Sequence, residues 1–302
     1  MSSLRDANIQ IFIYNMKLTV QQIVQQMVSA GVHFGHRRCL RNPKMIPYIY
    51  TEKDDLQIID LLQTYWYLQI ASKFLFDACR RGKRILFVGT KKHIAKCVEQ
   101  TANECHSWYI NKRWLGGLLT NWGTMQKSIL KLQTENRKAF VPRDERQAKD
   151  LDIQNAFSKK SKKENTRFER RKKRLLKYFG GVQTMSELPD IVIIIGQQEE
   201  MNAVRECQKL KIPNLTILDT NCNPSFADLF IPANDDSLTS VHFILSKLAN
   251  AIKKGQKDFQ LQKKNGSVQI PKIGSKDNEI SGQKYESKKF KYSSEIAYRN
   301  QN

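Results

Sequence analysis

The sequence predicts an α/β protein. A parallel sheet flanked by helices, in the flavodoxin-like arrangement, should carry a projecting α-helical hairpin arm. Three observations lead there. Ile85-Leu86-Phe87-Val88 and Ile191-Val192-Ile193-Ile194-Ile195 are apolar runs with no polar face, as strands buried on both sides must be. Helical segments alternate with such runs, which is the pattern of βαβ units with right-handed crossovers. The alternation then stops between Gly116-Gly117 and Gly180-Gly181, where no segment reads as a strand.

Taken in order, residues 1–18 form an N-terminal extension. Thr19 can cap a helix whose Val20, Ile23, Val24, Met27 and Val28 share one face, and Gly31 ends it. A base-rich loop runs from His33 to Lys44, and Leu56–Ile59 is a short apolar strand. Asp60 can cap a long helix over 61–80, closed by Arg80, Arg81 and Gly82 as a helix C-terminus favours. After Ile85–Val88 comes a helix from about Lys92 to Ala102, then a strand at Trp108-Tyr109-Ile110. Beyond the central section, strand 190–195 precedes a helix over 199–210, strand Leu215–Leu218 and a helix over 236–252 capped by Asp235 or Asp236.

In the central section Trp122, Met125, Ile129 and Leu132 repeat at coiled-coil spacing, and Pro142 ends that helix or follows it closely. A second helix, about Lys162 to Phe179, lines up Phe168, Leu175 and Phe179. Two antiparallel helices would make the arm over 118–180, with the glycine pairs as pivots or as simple caps. The globular domain then comprises 19–117 and 181–252. From 253 to 302 apolar residues thin out, which predicts a disordered basic tail.

Charge sets the class of partner. The 302 residues hold 51 Lys and Arg against 29 Asp and Glu, a net of +22. Such a field attracts polyanions through counterion release. No helix here joins a strong apolar stripe to a basic face, so nucleic acid is favoured over a membrane surface. Residues 159–177 carry 11 bases and 2 acids, whereas 178–252 carry 4 and 9. One face should therefore serve RNA and another something else. Six cysteines show no zinc-ligand spacing, which predicts free thiols in a reducing compartment. No apolar run reaches the roughly 18 residues of a membrane span. Residues 1–20 read poorly as a secretory or transit signal, so an organellar protein of this kind is expected to be made in its organelle.

The candidate RNA contacts are Arg37, Arg38, Arg41 and Lys44 in the first loop, Lys91 and Lys92 after the buried strand, and Lys112 and Arg113 beyond Ile110. The run Arg170, Arg171, Lys172, Lys173 and Arg174 is the densest charge and the strongest candidate. Such a helix would fray by self-repulsion without an anion nearby. Exposed amides of Gly89-Thr90-Lys91-Lys92 could hold a phosphate, although the stretch is neither a Walker loop nor Gly-x-Gly-x-x-Gly, and no cofactor is expected. Trp114 and His33 read as packed residues. His36, Asp219 and Asp235 could surround a cation, but turns and caps explain the aspartates without a metal. Glu199-Glu200 opens a helix and suits its dipole. No catalytic arrangement is present, so the chain is not expected to be an enzyme.

Several motifs occur in an order that resembles one family. These are Ser29-Ala30-Gly31-Val32-His33-Phe34-Gly35-His36, Asn42-Pro43-Lys44-Met45, Pro47-Tyr48-Ile49 and Lys112-Arg113-Trp114-Leu115-Gly116-Gly117-Leu118-Leu119-Thr120-Asn121. The stretch 189–213, Asp219-Thr220-Asn221-Cys222-Asn223-Pro224 and Ile231-Pro232-Ala233-Asn234-Asp235-Asp236 complete the set. Together they resemble ribosomal protein two of the small subunit, in its plastid or cyanobacterial form, over about 19–252. The resemblance implies a parallel α/β domain with a helical hairpin, and a structural place between head and body of the small subunit of a chloroplast (plastid) ribosome. It implies small-subunit ribosomal RNA and other small-subunit ribosomal proteins as partners in translation, with no membrane and no homo-oligomer. The extension, the arm around 148–166 and the tail are longer than the resemblance leads one to expect. The alternatives are an α/β enzyme, which would require a phosphate or catalytic motif at a strand end, and a nucleic-acid-binding factor outside the ribosome.

Overall fold

The structure is a computed structural model that describes residues 20–139 and 162–264. The extension, Thr19, Pro142 and the tail from 265 lie outside the described residues. The chain up to Leu261 forms one compact unit, and a second begins at Gln262.

Five strands form the parallel sheet: β4 (Ile85–Val88), β5 (Trp108–Ile110), β6 (Ile191–Ile195), β7 (Asn214–Leu218) and β8 (Leu229–Pro232). Their order is β5-β4-β6-β7-β8. Counted within the sheet this is 2-1-3-4-5, the flavodoxin-like order. Three earlier strands, β1 (Phe34–Arg37), β2 (Ile49–Lys53) and β3 (Leu56–Ile59), make a separate antiparallel sheet in the order β1-β3-β2. A two-residue turn joins β2 to β3, with Asp54 and Asp55 at φ 51° and 64°. Both dihedrals suit the right-handed strand twist.

The side-chain period of two divides the apolar residues between the sheet's faces. Ile85, Phe87, Ile191, Ile193, Ile195, Leu215, Ile217 and Ile231 face one core. That core is closed by helix α1 (20–29) through Met27, by α2 (Leu61–Arg80), by α3 (Ala95–Glu104) and by α7 (Leu238–Lys264). Leu86, Val88, Ile110, Val192 and Ile194 face the other, against Ala203, Val204 and Cys207 of α6 (Met201–Leu210). Asp60 caps α2 by accepting from the Leu62 amide at 2.9 Å. The φ of +71° at Gly31 turns the chain after α1.

The central helices are α4 (Trp122–Ala139) and α5 (Lys162–Phe179). The first turns of α4 and the last turns of α5 pack inside the globule. Ile129 and Phe179 are buried in the second core, with Trp122, Met125, Leu175 and Leu176 packed against it. The seam spacing is thus realised at its first three positions; the side chains of Leu132 and Phe168 lie outside the description. Gly181 is a packing glycine, because a Cβ there would collide with the Tyr109 carbonyl, whereas Gly117, at φ +82°, turns the chain.

Three expectations are corrected. Phe34–Arg37 belongs to a strand and not to a loop, since its pairing partner β3 is non-local. Leu229–Pro232 is a strand that its short run did not reveal. Helix α7 continues twelve residues past the expected end at 252, to Lys264. Gly255 is buried where a Cβ would strike the Phe76 carbonyl, and Phe259 lies over Gly82. The first part of the expected tail is therefore packed helix.

Candidate nucleic-acid interface

Strand order reverses at β4 and β6, and the crevice beyond their carboxyl ends is where open α/β sheets hold ligands. Here the protein's own side chains fill it. The Thr90 amide donates to Glu200 Oε1 at 3.0 Å, and the Gly89 amide donates to the Ile110 carbonyl. Two of the four amides expected to hold a phosphate, those of Gly89 and Thr90, are thus already used. Lys91 Nζ lies 2.8 Å from both Asp235 Oδ1 and Asp236 Oδ1, and 3.6 Å from Glu199. Its side chain is only 9% exposed. Burial alone would push the Lys91 pKa down, but Asp235, Asp236 and Glu199 outweigh it and raise it. Lys91 is therefore corrected from an RNA contact to an internal cation. Burial lifts the Asp235 carboxyl to about 7, helped by Asp219 and opposed by Lys91. The Glu200 carboxyl is raised by burial.

His36 sits beside this network. Its amide donates to Thr220 Oγ1 at 2.9 Å, its Nδ1 lies 3.1 Å from Asp219 Oδ2, and its Nε2 lies 3.3 Å from Asp236 Oδ2. The hydrogen bond to Asp219 raises the His36 pKa against partial burial. His36, Asp219 and Asp236 could offer three ligand atoms to a cation. The expected third member, Asp235, is corrected to Asp236, because both aspartates hold Lys91 but Asp236 also presents its Oδ2 to His36. Asn234 fixes this difference: its Oδ1 accepts from the amides of Asp236 and Ser237, setting the turn that splits the two aspartates.

A further carboxylate, missed in the sequence, organises the loop into α4. Glu206 on α6 accepts from Trp114 Nε1 at 2.9 Å and from the amides of Gly117, Leu119 and Thr120 at 2.8–3.1 Å. Burial would raise its pKa, yet these donors hold it below the usual carboxylate range. The available signal was an acid on the apolar face of a helix, among Ala203, Val204 and Cys207. Trp114 is buried, as expected. His33 packs on Phe34 with its centroid 4.0 Å away.

The remaining candidate bases stand outside. Arg37, Arg38 and Lys44 are exposed and Arg41 is half-buried. Arg38 reaches Glu52 at 3.3 Å, and Lys44 donates to Ser225 at 3.0 Å. The structure brings Lys92 and Lys112 to one recess beside α3, while Arg113 is exposed nearby in sequence. Arg170, Lys173 and Arg174 are exposed on α5; the side chains of Arg171 and Lys172 lie outside the description. Among the described residues Lys92, Lys112 and Arg113 make no ion pair, so their charge remains available to an outside polyanion.

The chain matches the family model of Ribosomal protein S2 over residues 27–255. It is 45% identical over 246 residues to Small ribosomal subunit protein uS2c of Oltmannsiellopsis viridis, covering 80% of this chain and 97% of that protein. It is 46% identical over 231 residues to Small ribosomal subunit protein uS2 of Synechococcus sp. (strain JA-2-3B'a(2-13)), covering 76% and 83%. With Small ribosomal subunit protein uS2c of Chlorella vulgaris it shares 46% over 233 residues, covering 77% and 82%. A match of this extent settles the lineage: the chain belongs to the ribosomal protein S2 family.

Proposed function

We propose that the chain is a structural constituent of the small subunit of a plastid ribosome. It binds small-subunit ribosomal RNA and neighbouring ribosomal proteins, and it catalyses no reaction. The observation that carries this reading is the family match across 27–255, joined by relatives named as small-subunit proteins of green algae and cyanobacteria. The filled crevice at β4 and β6 agrees with it, because the usual ligand position of such sheets is occupied by structural ion pairs. Arg37, Arg38, Arg41, Lys44, Lys92, Lys112, Arg113 and the run 170–174 are the proposed RNA contacts, in a chain that acts as one copy per subunit, away from membranes, and is encoded in its organelle.

The test is charge reversal of the α5 run: Arg170→Glu, Arg171→Glu, Lys172→Glu, Lys173→Glu and Arg174→Glu together. Each lost phosphate contact should lower the salt slope of binding to small-subunit ribosomal RNA by roughly 0.7–0.9. Affinity should fall by orders of magnitude at low salt and converge with wild type at high salt. An unchanged slope with native circular dichroism would remove the α5 run from the interface. Co-sedimentation of the wild-type chain with small subunits in high salt separates a ribosomal constituent from a free nucleic-acid-binding factor.

A further inference from the structure

Away from these candidate residues, α1, α3 and α7 line an open recess of about 790 Å³. Its walls carry His93 and Lys96 from α3 and its approach, His242 and Lys247 from α7, and no carboxylate. Phe243 forms part of the lining, half-buried against the main core, with Lys247 Nζ 5.2 Å from its ring centroid. Gln26 and Gln100 add side-chain amides, while the Ser29, Thr239 and Ser246 hydroxyls donate to the Gln26, Ala30 and Phe243 carbonyls at 2.7–2.9 Å. Lys96 and Gln100 also line the neighbouring recess of about 500 Å³, which adds Lys92 and Lys112. The acid of that second recess, Glu99, is committed inward, accepting from Tyr109 Oη at 2.8 Å and Asn111 Nδ2 at 2.9 Å. Glu104, whose field reaches His242, is held by Lys253 at 2.6 Å. The surface thus offers cations on two sides of an apolar hollow, and a basic path leading from it.

We propose that this recess is a second RNA site, which takes an unstacked nucleotide of a single-stranded segment. Lys96 and Lys247 hold the flanking phosphates, Phe243 supplies the apolar contact for the base, and the backbone continues past Lys92 and Lys112. The inference rests on the RNA-binding reading of the protein and extends it to residues that reading did not include. Charge selects a polyanion; the Phe243 ring and the Gln26 and Gln100 amides beside it select an unstacked base over the outside of a duplex. Bases held in a helix cannot enter such a hollow, whereas splayed single-stranded bases stack on aromatic side chains and use their edges for hydrogen bonds. An acidic protein segment would satisfy the lysines but would make no use of the Phe243 ring.

The full-length chain should be titrated with fluorescent RNA strands of about 12 nucleotides and with a duplex of the same length. Two variants are needed: Lys96→Glu with Lys247→Glu, and Phe243→Leu, which keeps an apolar group against the core. The double variant should lower the single-strand salt slope by roughly 1.4, two contacts at about 0.7 each. Phe243→Leu should weaken single-strand binding roughly fivefold or more at an unchanged slope, and should leave the duplex unaffected. Equal losses for strand and duplex would overturn base insertion. So would an acidic peptide that displaces the strand from wild type and loses its own binding in the double variant, since that marks a protein site. The α5 reversal keeps the two readings apart. If it lowers the slope and the double variant does not, this recess is not an RNA site and the RNA reading stands. If neither variant changes binding, the RNA reading itself fails.

Discussion

The edge of the sheet and the outer face of α3 use the same residue types in opposite ways. At the edge, Lys91 and His36 are spent on Asp235, Asp236 and Asp219, and Thr90 on Glu200. A few residues along, Lys92, Lys96 and Lys112 make no ion pair among the described residues and line open recesses. Lys91 and Lys92 are adjacent in sequence, yet one is a structural cation and the other a surface charge. Burial makes the difference. A buried charge must be matched within the fold, since leaving it unpaired costs several kcal/mol, whereas an exposed one is solvated and free to meet a ligand. Charge inside the fold should govern stability and charge outside it should govern binding.

The largest break in that division should come from Glu206. Glu206→Ala strips the acceptor from Trp114 Nε1 and from the amides of Gly117, Leu119 and Thr120. Orphaned buried donors cost ~1–3 kcal/mol each, and partial relaxation should leave a loss of about 4 kcal/mol. Urea denaturation measures it. A loss below about 1 kcal/mol would mean that water satisfies the loop and that Glu206 does not hold it.

Lys91→Met comes next. It leaves Asp235 buried beside Asp219 without its cation, at a cost of about 3 kcal/mol when Asp235 is ionised. Asp235 already titrates near 7 in the fold, above its ordinary value, so its ionised form weighs against folding as pH rises through that range. The variant's deficit should therefore be larger at pH 8 than at pH 5. A deficit independent of pH would assign the effect to lost packing of the lysine stem. Lys92→Met, by contrast, should leave stability unchanged.

Much of the fold was legible in the sequence because continuous apolar runs and well-capped helices are local signals. Strand β4 and helix α2 fall where the pattern put them, and β6 begins one residue later. What escaped depends on distant partners. Phe34-Gly35-His36-Arg37 has no strand pattern of its own and is ordered by pairing with β3. Neither Asp235 nor Asp236 announces which faces His36; the Asn234 turn decides that. Lys91 and Lys92 look alike until Asp235 arrives from the far end of the chain. For the same reason the recess between α3 and α7 was invisible, as His93 and Lys96 are separated from His242 and Lys247 by most of the protein.

The end of α7 is a smaller case of this. Its polar composition suggested a tail, yet Gly255 and Phe259 pack on α2 and Gly82. Truncation after Lys264 should leave the melting temperature unchanged, while truncation after Ile252 should cost about 2 kcal/mol through lost apolar burial. Equal melting temperatures for the two would show that the last turns of α7 add nothing to the core.

The smallest effect, and the one that probes the boundary between the two regimes, belongs to His36. It is partly exposed and faces Asp219, Asp236 and Asp235, with Lys91 and His93 on the same side of the network. Its pKa is raised by the Asp219 hydrogen bond, so the folded state favours the imidazolium. A raised folded pKa means that the stabilisation is fully present below the unfolded value near 6.5 and is lost as pH rises through the folded value. With the His36 side chain 19% and that of Asp219 1% exposed, this charged hydrogen bond should be worth about 1.5 kcal/mol. Asp235 ionises in an overlapping range, so wild-type stability alone cannot isolate His36. The difference between wild type and His36→Gln does, because Asp235 is present in both. That difference should be largest near pH 6 and shrink by pH 9, where the neutral imidazole offers Asp219 and Asp236 one proton between them. If it instead grew with pH, the neutral ring would be the form the fold selects, and His36 would belong with the packed residues and not with the charged network.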